Sequence, residues 1–355
     1  MYITDDGRWV GAVSGGCLEG DALRKARKVM QEQQSMLVTY DTMNEEGATL
    51  GIALGCNGVI DILIEPLDHE RENPLTWLEK CQPKGLDGAM ATVFTGGEGD
   101  TKPVVAIGRR WALLPTGEML GKDSAFEEEA SVLADLQTAR DTRQAFVKSY
   151  TSQGQPVKIF FEAFPQQIQL VIFGGGYDAV PMAQMAYDTG WRVAVTDFCV
   201  AHLIPKKFPN VHRIVEAQPT DFLEKVQPDD RTALVLMSHD YKKDLAVLEQ
   251  ALQVPIPYIG ILGPRKKGDK MFRDLAARGV LSEADHARIH SPMGLDIGAE
   301  TPEEIAISVI AEVMAVFSKR NGQMLKLRPG PIHGRETSPS YNEREPIGEH
   351  CSRVF

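Results

Sequence analysis

From residue 168 onward, short apolar runs alternate with helical periods, and this alternation leaves the chain few ways to fold. The runs fall at 168–173, 192–197, 211–215, 233–237 and 258–262, with helical spacing over 179–188, 221–226 and 242–252. Apolar runs joined by crossover helices specify a parallel, doubly wound sheet with right-handed connections. A last helix opens at Thr301, where Thr301 can cap, Pro302 suits the first turn and Glu304 completes a capping box. Its inner stripe is Ile305, Val309, Val313 and Phe317. This region, 166–327, forms one domain, and 328–355 forms an extended tail rich in Pro, Gly, Ser, Glu and Arg.

Residues 1–165 read differently. One helix is predicted over 19–34 from Leu18, Ala22, Ala26 and Met30 at spacing four. Apolar runs at 36–40, 59–64, 91–94, 104–107, 146–150 and 157–164, punctuated by Gly, Pro and Asn, predict short antiparallel strands. The first domain is therefore α+β, with no internal repeat discerned. The fold class is α/β, a carboxy-terminal Rossmann-like sheet preceded by this α+β domain.

Composition narrows the function. Hydrophobic residues make up 43% of the 355, too many for a disordered chain. Lys plus Arg is 38 against 49 Asp plus Glu, a net charge of −11, the wrong sign for a protein that tracks phosphates of DNA or RNA. No apolar stretch approaches the ~20 residues needed to cross a bilayer, so no membrane association is predicted and the cytoplasm is the expected compartment. Cysteines at 17, 56, 81, 199 and 351 form neither a disulfide framework nor a Cys-x-x-Cys zinc pair. Any cysteine chemistry uses a free thiol.

The clearest motif is Phe173-Gly174-Gly175-Gly176-Tyr177-Asp178-Ala179, between a strand and a helix. Gly174 suits the tight turn, Gly176 admits a diphosphate close to the backbone, and Ala179 allows close helix-to-strand packing. Free N–H groups and the dipole at that helix start favour an anion. Asp197 ends the next strand, where a carboxylate meets a ribose hydroxyl. His239, in Ser238-His239-Asp240, and Arg265 follow later strands on the same edge, as donors to a bound ligand. Three sequence neighbours do not make a catalytic triad. Asp296, in a Gly-flanked loop, either binds ligand or bonds to neighbouring backbone.

In the first domain, Gly15 and Gly16 precede Cys17 at a helix start, a setting that lowers a thiol's pKa and favours the nucleophilic, metal-binding thiolate. Glu19 opposes this effect if it points the same way. Cys56 lies in a second small loop, Gly55-Cys56-Asn57-Gly58.

Together these segments resemble the XdhC/CoxI-type accessory family of xanthine dehydrogenases. The resemblance rests on GAVSGGCLEG (11–20), GCNGVIDILIEP (55–66), the segment from Phe173 to Asp197, MSHDYKKD (237–244), YIGILGPRK (258–266) and HSPMGLDIGAETPEEIAISVIAE (290–312). It implies a chaperone that binds molybdenum cofactor, protects it during sulfuration and delivers it to a xanthine dehydrogenase-type apoenzyme, with a cysteine desulfurase as sulfur source. It assigns Cys17 as transient metal ligand or sulfur relay, places Cys56 in the family's Gly-Cys loop, and sets the cofactor phosphate on the Gly174 turn. Soft thiolate suits molybdenum. Phe198-Cys199 stands where family members often carry a basic residue. A homodimer would cover the first domain's strand edges. The alternatives are an NAD(P)-dependent oxidoreductase, for which the turn and Asp197 suit the dinucleotide, and a scaffold that only docks the maturation partners.

Overall fold

The computed structural model describes residues 1–14, 18–41, 59–70, 72–81, 87–95, 104–122 and 126–329. The chain divides into two compact units, Met1–Gln166 and Gln167–Phe355. The expected loops around Gly15, Gly16 and Cys17 and around Cys56, together with Cys351 and the tail beyond 329, lie outside the described residues.

The first unit contains β1 (Tyr2–Ile3), β2 (Trp9–Val10), α1 (Glu19–Glu32), β3 (Met36–Asp41), β4 (Val59–Ile64), α2 (Pro74–Cys81), β5 (Gly88–Thr95), β6 (Arg110–Leu113), β7 (Met119–Leu120), α3 (Glu129–Thr142), β8 (Phe146–Ser152) and β9 (Gln155–Phe164). Strands β1 with β2 and β3 with β4 form two antiparallel pairs, and a five-stranded sheet runs in the order β7-β6-β5-β9-β8. The strand expected over 104–107 does not form. Gly108 turns the chain at φ +86°, and pairing with β5 begins at Arg110. Helix α3 was not anticipated, although Val132, Leu136 and Ala139 form its buried stripe.

An internal repeat emerges where none was discerned. Elements β1, β2, α1 and β3 recur as β6, β7, α3 and β8, displaced by 110 residues, as Glu19 and Glu129 or Gly7 and Gly117 show. Both glycines have positive φ, +84° and +83°, and both helices end on a left-handed residue, Gln33 and Arg143. Buried helix positions match: Ala22, Ala26 and Val29 against Val132, Leu136 and Ala139. Identity survives mainly at structural points such as Gly11 and Gly121 or Tyr40 and Tyr150. A 3.6-residue period cannot register similarity over that distance.

The second unit has the expected architecture. Its strands are β10 (Gln169–Phe173), β11 (Arg192–Asp197), β12 (Arg213–Glu216), β13 (Thr232–Leu236), β14 (Tyr258–Ile261) and β15 (Ile289–His290). All pair in parallel, in the order β12-β11-β10-β13-β14-β15. Counted within the unit this is 3-2-1-4-5-6, the order of a dinucleotide-binding sheet. Helices α4 (Ala179–Asp188) and α9 (Pro302–Phe317) cover one face. The other carries α5 (Phe222–Val226), α6 (Tyr241–Ala251) and α7 (Arg265–Ala277), while the short α8 (Glu283–His286) precedes β15. Alternate residues of β10 enter opposite layers, Leu170 and Ile172 against Val171 and Phe173, all fully buried. The capping box forms as expected, with Thr301 Oγ1 accepting from Glu304 N–H. Helix α7 and edge strand β15 were not anticipated.

Candidate functional site

Strand β10 ends at Phe173 and the chain must turn at once into α4. Gly174 makes that turn at φ +124°, its N–H donating to the Thr196 carbonyl at 2.8 Å. A Cβ there would stand 2.5 Å from the Met237 carbonyl, so the end of β13 crosses where only glycine fits. Gly175 is confined by His202, whose carbonyl oxygen would lie 2.8 Å from an added Cβ. A Cβ on Gly176 would have as nearest neighbours Asp178 Oδ1, at 2.9 Å, and the His239 ring, at 3.9 Å. Ala179 is fully buried against the inner layer.

Among the described residues, the N–H groups of Gly176, Tyr177 and Asp178 have no hydrogen-bond partner. Three consecutive free amides at the start of α4 form an anion cradle.

Asp197 has another occupation than the ribose contact expected of it. It is 1% exposed, and its carboxylate accepts from Gly175 N–H and Cys199 N–H, both at 2.8 Å, with His202 Nδ1 at 3.0 Å. It fastens the Gly-rich turn to the segment after β11. No signal in the sequence reveals this, because the donors come from both sides of the carboxylate. Lys243, from α6, stands 4.9 Å from the Phe198 ring centroid, so a basic residue reaches this neighbourhood after all.

Ser238, His239 and Asp240 do three separate things. Ser238 Oγ donates to Asp244 at 2.5 Å. His239, in a left-handed conformation at φ +61°, places Nε2 3.1 Å from Asp178 Oδ2 over the Gly176 turn, with its side chain largely exposed. Asp240 caps α6 by accepting from Lys242 and Lys243 N–H groups. Behind them, fully buried Asp244 pairs with Lys267 at 2.7 Å, and Lys267 Nζ also donates to the Leu262 carbonyl. Asp244 and Lys267 were missed. An acid on the otherwise apolar inner stripe of α6, beside Leu245 and Leu248, was the available clue.

The structure thus brings Gly174, Gly176, Asp197 and His239 together. Arg265 is exposed at the start of α7, and Asp296 is exposed in the loop after β15; no hydrogen bond or ion pair joins either to that cluster among the described residues. The Asp296 loop is held from behind. Gly294 N–H donates to Glu312 Oε2 at 2.7 Å, and Ser308 Oγ donates to the Leu295 carbonyl. Burial pushes the Glu312 carboxyl up, but hydrogen bonds from His290, Tyr258 and Gly294 outweigh it and hold the pKa below the usual value.

At the start of α1, Glu19 turns back. Its carboxylate accepts from Val13 N–H, Ser14 N–H and Ser14 Oγ, the Ser14 amide bond at 2.7 Å. The Ser14 amide is foremost in lowering its pKa to about 2. Cys81 is buried, which raises its thiol pKa, and Cys199 is half-buried; both are free thiols. No group of three or more His, Cys, Asp or Glu suited to a metal occurs among the described residues. Nor is any described helix long and apolar enough to cross a membrane.

Two family models match the chain. The XdhC Rossmann domain matches residues 170–313, from β10 into α9, and the XdhC and CoxI family model matches residues 1–41, from β1 through β3. The chain belongs to the XdhC and CoxI family. A protein of Bacillus subtilis described as a probable xanthine dehydrogenase component is 27% identical over 314 residues, 88% of this chain and 86% of that protein. The molybdenum cofactor insertion chaperone PaoD of Escherichia coli is 24% identical over 318 residues, 89% of this chain and 77% of PaoD. A crystal structure described as a xanthine dehydrogenase from Bacillus halodurans superposes with a TM-score of 0.70 at 27% identity, covering 92% of this chain and 87% of that one.

Proposed function

We propose that this XdhC/CoxI-family chain binds molybdenum cofactor and holds it for insertion into a xanthine dehydrogenase-type apoenzyme. The observation that carries the reading is the row of unpartnered amides at Gly176, Tyr177 and Asp178, in a chain related over most of its length to a molybdenum cofactor insertion chaperone. The cofactor carries a phosphate or a diphosphate, and the cradle suits either. His239 stands over the cradle, so its ring can leave Asp178 and donate to an incoming phosphate. Asp197 acts indirectly, as a positioning residue that holds Gly175 in the turn.

Cys17 is the proposed soft ligand for the metal end of this cargo, flanked by Gly15 and Gly16, and Cys56 supports it. Arg265 and Asp296 are proposed as outer ligand contacts. Protection during sulfuration, sulfur supply by a cysteine desulfurase, delivery to the apoenzyme, a homodimer and a cytoplasmic setting complete the reading. The NAD(P)-dependent alternative loses its ribose acid, since Asp197 is buried and already engaged by three donors.

The test is retention. Full-length protein mixed with molybdenum cofactor should carry molybdenum and phosphorus through gel filtration, and Cys17→Ala should weaken retention by about tenfold or more. No retention by the unaltered chain at micromolar protein rejects the chaperone reading. NADH binding with turnover of a carbonyl substrate would favour the oxidoreductase, and partner capture that survives loss of both Gly174 and Cys17 would favour the scaffold.

A further inference from the structure

The Gly-rich turn has a second side. Tyr177, Val180, Pro181 and Gln184 lie three and four residues apart along one flank of α4 and wall a groove of about 400 Å³, with residues 206–211 opposite. The groove starts at the turn and leads away from the carboxyl ends of the strands. At its far end Asn210 Nδ2 donates to Gln184 Oε1 at 2.9 Å, and His212 N–H donates to the Val193 carbonyl near the start of β11. It is therefore distinct from the strand-end crevice in which a sheet of this order receives a dinucleotide.

Its chemistry is mixed in a specific way. Val180 and buried Phe208 are apolar lining residues, while the Tyr177 side chain stands 75% exposed beside them. Lys206 and Lys207 are exposed beside it, and neither has an ion-pair partner among the described residues. Glu303, at the start of α9, is the acid among the lining residues. In a chain of net charge −11, two cations against one acid beside an open ring favour an anion attached to a flat apolar body. The volume falls in the small-molecule range of roughly 300–1,000 Å³.

We propose that this groove binds a nucleoside monophosphate, its base stacked on Tyr177 beside Val180 and its phosphate at Lys206 and Lys207. The site adjoins the proposed cofactor cradle at Tyr177, using its ring where the cradle uses its amide, and failure to retain molybdenum cofactor would leave the groove proposal standing.

The experiment is calorimetric titration of the full chain with AMP, GMP, CMP and UMP in turn. At least one should bind saturably with one-to-one stoichiometry. Tyr177→Leu should weaken that binding by about tenfold, the loss expected for one base–aromatic stack. The pair Lys206→Ala and Lys207→Ala should weaken it by about tenfold or more. All three side chains are exposed, so the variants should retain the native circular dichroism spectrum. His239→Ala, which alters the cradle but not the groove, should leave the affinity within about twofold. The proposal is overturned if none of the four nucleotides binds at millimolar concentration, or if ribose 5-phosphate binds as tightly as the best nucleotide. It is equally overturned if the groove variants bind like the parent, or if His239→Ala abolishes binding.

Discussion

Gly174 and Gly117 both take positive φ, yet they differ in what surrounds them. An added methyl at Gly117 would meet nothing within 4 Å, whereas at Gly174 it would strike the Met237 carbonyl at 2.5 Å. Gly117→Ala should therefore cost only the backbone term, about 1 kcal/mol. Gly174→Ala should cost on the order of 3 kcal/mol, since the backbone of β13 must also move. Urea denaturation of the two variants checks the difference. Glu19 provides a pH test. Its depressed pKa of about 2 means that its bonds to Val13 and Ser14 contribute fully above the ordinary value of 4.5 and weaken as pH falls toward 2. Ser14→Ala removes the hydroxyl bond but keeps the foremost amide bond, so it should raise the carboxyl pKa only part of the way toward 4.5, read by NMR titration of Glu19. At this scale, spacing revealed which residues approach the turn but not what each does there. Asp197 stands in sequence where a ribose acid belongs, and the fold engages it with donors from residues 175, 199 and 202.

Elements were legible wherever one face carried the period. Helix α4 spans the predicted 179–188, and the capping box placed the start of α9 correctly. Helix α7 was hidden because its first turn, Arg265-Lys266-Lys267-Gly268, presents charge, and its buried positions Gly268, Met271 and Leu275 emerge only once the helix is drawn. Gly268 also makes room for Ser291, whose Oγ would lie 2.1 Å from an added Cβ. The same helix supplies Lys267, which anchors α7 to α6 through Asp244. Lys267→Met leaves the fully buried Asp244 carboxylate without its counter-charge and should cost about 3–5 kcal/mol. Joint replacement by Asp244→Leu and Lys267→Met should recover much of that loss, because no buried charge remains unpaired. Chemical denaturation of the single and double variants distinguishes this from simple loss of packing.

At the scale of the molecule, the second unit holds both of its hydrophobic layers within its own boundaries, one under α4 and α9 and one under α5, α6 and α7. A fragment of residues 167–329 should consequently fold alone and unfold cooperatively on heating, which circular dichroism would show. A disordered fragment would mean that this unit depends on the rest of the chain. The parallel sheet was legible because its inner strands β10, β11, β13 and β14 are buried on both sides and read as largely apolar runs, whereas edge strands β12 and β15 are less buried. The first unit was harder, because its strands are short and its repeat is written in glycine conformations and buried positions more than in identical letters.

Tyr40 and Tyr150 occupy matching places in the two copies, and each hydroxyl donates to an aspartate on the preceding helix, Asp21 in one and Asp135 in the other. These acids are not matching positions: counted from the helix starts at Glu19 and Glu129, Asp135 comes one turn later than Asp21. The same bond is thus made twice within one chain, with the acceptor a turn further along the second helix. Each half serves as a natural control for its twin, so exchanging the two acceptor positions between them would ask whether the fold selects for where the partner sits or only that there be one.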